Sequence, residues 1–183
     1  MNTFKADIEE IRRRARDKME EGPITGSYLA DREQVIRILN EVLATEIVCT
    51  LRYKNHYYMA QGIHAQGVAN EFLQHAREEE IHADMVAKRI TELNGTPNFD
   101  PAGLQTRSHA EYKECATLED MIREDLVAER IAISTYSEII RWLANDDPTS
   151  RRMIEEILAK EEEHADDLAK LLVRIGRSPH VDG

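Results

Sequence analysis

Two short stretches of this chain each place a carboxylate and an imidazole three residues apart: Glu79-Glu80-Ile81-His82 and Glu161-Glu162-Glu163-His164. On a helix, residues at that spacing share a face, so one pair can grip one ion. A single Glu-x-x-His says little, because acidic helices contain it by chance and its ordinary place is a solvated face. Here two further glutamates stand at a matching stride. Glu46 lies 33 residues before Glu79, and Glu129 lies 32 before Glu161. The order Glu … Glu-x-x-His thus occurs twice, as two helical hairpins would produce. Glu46, Glu79, His82, Glu129, Glu161 and His164 together could hold a dinuclear metal centre. Oxygen-rich ligands with one imidazole per metal suit Fe²⁺ or Mn²⁺ better than copper or structural zinc. Two such ions about 3.5–4 Å apart could take O₂ or peroxide between them.

The elements that must position these residues are legible in the apolar periodicity. Four stripes step by three or four: Val35, Leu39, Val42, Glu46, Cys49, Tyr53; then Phe72, His75, Glu79, His82, Val86, Ile90, Leu93; then Leu118, Ile122, Asp125, Glu129, Ala132, Tyr136, Ile139; then Ile154, Ile157, Glu161, His164, Leu168, Leu171. Each stripe is one helical face. The ligand candidates fall on the apolar faces, where an ionised carboxylate costs several kcal/mol unless paired or bound to metal. The alternative, six satisfied or edge-lying polar residues, requires six separate explanations.

The predicted helices run over about 31–61, 67–94, 118–145 and 148–175, giving an all-α antiparallel four-helix bundle. Gly62 and Gly67 bracket the first hairpin connection, and Gly95-Thr96-Pro97 stops the second helix. Residues 96–117 must carry the chain back along the bundle as a long crossover between helices 2 and 3. The piece around 102–112 has room for a short helix. Thr117 and Asp120 read as a capping box, Asp147-Pro148 as a helix start, and Gly176 as a C-cap. Ahead of the bundle, 3–20 reads as an extra N-terminal helix. The division is an N-terminal extension 1–26, a bundle domain 27–176 and a tail 177–183.

Bulk numbers fit. The 183 residues carry a net charge of −11, which disfavours a surface that coats nucleic acid. Two cysteines make no disulfide framework, and no Cys-x-x-Cys is present. No apolar run approaches a membrane span, and the polar N-terminus does not read as a signal peptide. A reduced, cytoplasmic setting is expected. Arg12, Arg13, Arg14, Arg16 and Lys18 form a basic segment that could touch DNA or another subunit; pairing with Asp7, Glu9, Glu10 and Asp17 on a solvated helix is the plainer reading.

With these residues in view, the chain resembles the ferritin-like superfamily over about 31–175, in particular bacterioferritins and Dps-like proteins with a bacterioferritin-type di-iron site. The resemblance maps the metal ligands onto Glu46, Glu79, His82, Glu129, Glu161 and His164. It adds Tyr53 and Asp125 at positions around the ligands, with Tyr53 counted among the catalytic set. It implies a ferritin-like four-helix bundle, a ferroxidase using O₂ or H₂O₂ on Fe²⁺, two Fe per subunit with Mn as the alternative, and iron storage or detoxification. It also implies a homo-oligomer, with a 12-mer favoured over a 24-mer or a dimer. Bacterioferritins hold haem through a methionine directly after the first Glu-x-x-His glutamate; Glu80 stands there, so haem is not expected. The alternatives are a Dps-like DNA-protecting cage, a di-metal peroxidase or manganese catalase, and a metal-free structural bundle.

The remaining candidates are weaker. Tyr53 and Tyr136 each follow a glutamate ligand by seven residues and could hydrogen-bond ligands, donate an electron, or simply pack. His75 could gate the site or hold an accessory iron, although a satisfied core histidine is the default. Cys49 reads as a small buried hydrophobe. His56, His64, His109 and His180 belong to no evident constellation, and the methionines and Trp142 read as packing.

Overall fold

A computed structural model of the chain describes residues 5–62 and 65–176. Among the described residues there are six α-helices and no strand: α1 (Ile8–Arg14), α2 (Arg32–Met59), α3 (Ala65–Glu92), α4 (Leu104–Arg107), α5 (Leu118–Leu143) and α6 (Pro148–Gly176), with a 3₁₀ turn at Met19–Glu21. The four long helices are the bundle. α2 packs against α3 and α5 against α6, while α3 meets α6 and α2 meets α5 across the core. Among the described residues no helix is long and apolar enough to cross a membrane.

The caps are those the side chains dictate. Asp31 accepts from the Gln34 amide at 3.1 Å to start α2. Thr117 accepts from the Asp120 amide at 3.1 Å and so caps α5, but its hydroxyl, not its amide, meets the Asp120 carboxylate, at 2.7 Å, so only the N-cap half of the expected capping box forms. Asp147 accepts from the Ser150 amide at 2.9 Å ahead of Pro148. Asn94 takes a left-handed φ of 60° at the end of α3. Gly95 then passes so close to α2 that an added Cβ would sit 2.8 Å from Ile36 Cγ2.

Three expectations need correction. The N-terminal helix is shorter than 3–20, covering Ile8–Arg14 before Lys18 turns left-handed at φ 48°. It buries no residue, so packing does not extend it, and short isolated helices are marginal in water. α3 begins at Ala65 and takes Gly67 into its first turn. Trp142 is not core packing: it is exposed at the end of α5, as are Met19 and Met59 elsewhere. The crossover helix is a single turn, α4. His64, His180 and the tail 177–183 lie outside the described residues.

The crossover is fastened along α2 by polar contacts. Asn40 accepts from the Asn98 amide at 2.7 Å, Thr45 accepts from the His109 amide at 3.0 Å, and Arg52 donates to the Glu111 carbonyl at 2.6 Å. At the far end of the bundle, Asp147 accepts from Tyr28 at 2.9 Å and from Arg89 at 3.0 Å, tying the segment before α2 to the α5–α6 turn.

The core divides in two. One apolar cluster includes Leu39, Leu43, Val86, Ile90, Tyr136, Ile154 and Ile157; the other includes Tyr53, Phe72, Ala76, Met121, Ile122 and Leu168. Along every long helix the predicted ligands fall between these two clusters. The polar layer is therefore walled by hydrocarbon on both sides, which keeps the dielectric low where the charges sit.

Candidate metal centre

Each long helix delivers its share to one point. Glu46 comes from α2, Glu79 and His82 from α3, Glu129 from α5, and Glu161 and His164 from α6. All six are buried, His82 being the most exposed at 4 %. They form two overlapping groups. Ligand atoms of Glu46, Glu79, His82 and Glu161 lie within 4.8 Å of one another, and so do those of Glu79, Glu129, Glu161 and His164. Glu79 and Glu161 belong to both groups; Glu46 with His82, and Glu129 with His164, belong to one each.

The atoms that converge have no ordinary hydrogen-bond partners. Glu46 Oε2, Glu79 Oε1, His82 Nδ1, Glu161 Oε1 and His164 Nδ1 are all buried and unpartnered. Yet His82 Nδ1 is 3.0 Å from Glu161 and 3.3 Å from Glu46, and His164 Nδ1 is 3.3 Å from Glu79. These are ion-pair distances without the alignment of a hydrogen bond. Buried polar atoms are almost always satisfied. Five orphans pointing at one another are what donors arranged around cations leave behind, and the residues present fit a dinuclear centre.

The electrostatics agree. Burial raises Glu46 and Glu129 well above the usual carboxylate range, reinforced by the neighbouring charges of Glu79 and Glu161. Burial opposes ionisation of Glu79 and Glu161 too. For Glu79 the imidazoles of His164 and His82 outweigh it; for Glu161 the contacts to Glu129, His164 and His82 do, and both carboxyls are held low. Burial would lower the two histidines, but Glu161, Glu46 and Glu79 push His82 up to about 12, and Glu161 and Glu79 push His164 up to about 10. Protons thus take the place of cations in the metal-free layer.

A second layer orients the first. Tyr53, on the helix of Glu46, donates to Glu129; Tyr136, on the helix of Glu129, donates to Glu46. His164 Nε2 lies 2.6 Å from Glu78, which leaves Nδ1 facing the other carboxylates. A carboxylate on the outer nitrogen of a ligating histidine fixes its tautomer and raises its basicity. His75 stacks on His164 with ring centroids 4.0 Å apart, and its Nδ1 is 3.3 Å from the Tyr53 oxygen.

Asp125 turns from the ligands to Arg52 Nε at 3.0 Å and His56 Nδ1 at 2.8 Å, and His56 Nε2 reaches the Lys113 carbonyl at 3.1 Å. This buried cluster locks the crossover to the bundle just outside the centre. Cys49 is buried beside Ala110 and Ala128.

Three residues around the ligands, Glu78, Arg52 and His56, escaped the sequence reading. The Glu78 contact crosses from α3 to α6, so no spacing along the chain could reveal it. His56 did leave a signal: it continues the α2 stripe of Glu46, Cys49 and Tyr53 by one more step. Glu80, beside Glu79, is exposed and lies 3.6 Å from Lys54. A surface pocket of about 460 Å³ on the α3–α6 seam has His82 and Glu78 in its wall, together with Ile81, Met85 and Ile157.

An all-helical bundle with a carboxylate–histidine layer between two apolar cores defines a class. The chain belongs to the ferritin-like domain family, whose model matches residues 36–178. It is 30% identical over 144 residues to the bacterioferritin of Mycobacterium leprae, covering 78% of this chain and 86% of that protein. It is 29% identical over 168 residues to the DNA protection during starvation protein of Pyrococcus furiosus, covering 82% and 89%. Among solved structures it resembles a dodecameric thioferritin, the bacterioferritin-related protein of Bacteroides fragilis. That match has a TM-score of 0.78 and 32% identity, over 81% of this chain and 90% of the other.

Proposed function

We propose that this protein is a di-iron ferroxidase that oxidises Fe²⁺ and serves iron storage or detoxification. The observation that carries the reading is the buried layer of four glutamates and two histidines with unpartnered atoms facing one another. Kinship with bacterioferritins and with the starvation protein of Pyrococcus furiosus supports it.

In this reading Glu46 and His82 would hold one iron, Glu129 and His164 the other, and Glu79 and Glu161, common to both groups, would serve both. Four carboxylates balance the charge of two divalent cations, so the loaded layer is near neutral where the dielectric is low. Mn²⁺ suits the same donors. Each Fe²⁺ gives up one electron. The pair with two protons reduces O₂ to H₂O₂, or H₂O₂ to two waters.

The residues around the ligands do the positioning. Tyr53 and Tyr136 hold one oxygen of Glu129 and Glu46 respectively, leaving the other free for a cation. Glu78 holds the outer nitrogen of His164. The apolar clusters on either side exclude water from the layer.

The reading includes assembly into a shell of identical subunits, with twelve favoured. Support comes from the dodecameric relative. It does not include DNA. The arginines of α1 are engaged locally, Arg12 with Glu9 at 2.8 Å and Arg13 with Glu10 at 2.8 Å, on a chain of net charge −11. Salt-dependent gel shifts test that exclusion, because phosphate contacts weaken steeply with salt. The ferroxidase reading is tested by loading metal-free protein with Fe²⁺ and following oxidation on mixing with O₂ or H₂O₂. Fast oxidation supports it, and oxidation no faster than that of free Fe²⁺ overturns it.

A further inference from the structure

The ligand ladder does not stop at the dinuclear layer. Glu71 and His75 precede Glu79 by two turns and one turn on the same face of α3, and Asp167 follows His164 by three residues on α6. One ring nitrogen of His75 and one oxygen from each of Glu71 and Asp167 lie within 4.8 Å of one another. Donors on opposite sides of an ion are about 4–4.5 Å apart, so small carboxylate rotations complete this set.

The histidine supplies the independent observation. His75 is 1 % exposed, yet among the described residues only its Nδ1 has a hydrogen-bond partner, the Tyr53 oxygen at 3.3 Å. Nδ1 being taken, Nε2 is the ring nitrogen left for Glu71 and Asp167. A nearly fully buried imidazole with one ring nitrogen unused beside two carboxylates has the donor set of a cation site. Glu71 has no ion pair among the described residues, and Asp167 has only an exposed lysine, Lys170, at 3.5 Å. Both carboxylates are half-buried, so the trio opens toward solvent while His75 stacks on His164 inside.

We propose that Glu71, His75 and Asp167 form a third divalent-cation site at the edge of the dinuclear layer. It takes a hard or borderline ion such as Fe²⁺, Mn²⁺, Co²⁺ or Zn²⁺. Three protein ligands leave open positions, so its ion exchanges more readily than the inner pair. Its place, with the His75 ring against His164, makes it a holding station for cations bound for that pair. The station role, though not the site itself, rests on the ferroxidase reading.

Anaerobic titration of the full-length metal-free protein with Co²⁺, followed by calorimetry, tests the site without any oxidation. Anomalous diffraction from Co²⁺-loaded crystals locates each ion. The wild type is expected to bind three Co²⁺ per chain, one of them among Glu71, His75 and Asp167. The surface variant Glu71→Ala/Asp167→Ala is expected to keep its helical circular dichroism and bind two. A Glu79→Gln/Glu161→Gln variant is expected to lose the inner ions and keep the outer one. Three ions bound by the surface variant, or no cobalt peak at the trio in the wild type, would overturn the proposal. Loss of one ion in the surface variant, with three retained in the inner variant, would instead bring down the dinuclear reading and leave the third site standing.

Discussion

The Tyr53 hydroxyl donates across the bundle to Glu129, not to Glu46 seven residues before it on the same helix. Tyr136 returns the pattern by donating to Glu46. Each hairpin therefore holds a buried glutamate of the other, Glu129 or Glu46, and the two halves of the layer are correct only together. Phenylalanine at either position removes one donor and leaves the shape. Outer partners of metal ligands are commonly worth 10–100-fold in metal affinity or activity. Tyr53→Phe and Tyr136→Phe should each weaken cation binding by about tenfold or more while circular dichroism stays unchanged. Binding isotherms equal to wild type would show the tyrosines to be packing only.

Glu78 offers a separate handle. It meets His164 at 2.6 Å from the outer side and is not among the converging ligands. Glu78→Ala should lower the rate of ferrous oxidation by about 10–100-fold, with Glu78→Asp recovering part of it. A rate unchanged in Glu78→Ala would remove the positioning role.

The inner ligands should behave differently. Glu79→Ala or His164→Ala is expected to abolish fast oxidation and leave helix content intact, because the hydrocarbon clusters on both sides persist. Stopped-flow absorbance beside circular dichroism checks both halves of that statement.

Proton and cation should compete at the layer. The pKa values of His82 and His164 are raised in the folded state, to about 12 and about 10. The folded metal-free protein therefore binds more protons than the unfolded chain above pH 6.5, and stability falls as pH rises from there through about 10. Glu46 and Glu129, also raised, act in the same direction from about pH 4.5 upward. His75 acts oppositely: burial lowers it to about 4, so its contribution is lost as pH falls from 6.5 toward 4. Metal-free protein should thus melt at lower temperature at pH 9 than at pH 7. Divalent cation should flatten the difference and release protons on binding. Thermal melts with and without Co²⁺ measure this. A melting temperature that rises with pH in the metal-free protein would contradict it.

Much of this was readable in the chain. The doubled Glu-x-x-His, the two earlier glutamates and the apolar stripes located four helices and their inward faces, since a 3.6-residue period maps sequence onto one surface. What stayed hidden depends on contacts between helices. Glu78 looks like any exposed acid until α6 is packed against α3. The Arg52–Asp125–His56 cluster requires the path of the crossover. The N-terminal helix stops short of 3–20 because local propensity and i,i+3 ion pairs do not sustain a helix that buries no residue.

That crossover cluster carries its own stability prediction. Asp125 lies between Arg52 and His56 with no exposure. Removing one partner of a buried ion pair costs about 3–5 kcal/mol. Asp125→Ala should destabilise by that order and loosen the 108–116 segment. Urea unfolding and hydrogen exchange report the two effects, and a loss below about 1 kcal/mol would mean that the cluster is not a structural lock.

The dinuclear layer itself is tested most directly by anaerobic Fe²⁺ titration of metal-free protein, followed by rapid mixing with O₂ or H₂O₂. The amplitude of the fast oxidation phase should saturate at two irons per chain and vanish in Glu79→Ala. A fast phase that saturates at one iron, or one that survives unchanged in Glu79→Ala, would contradict a shared centre built from the four helices.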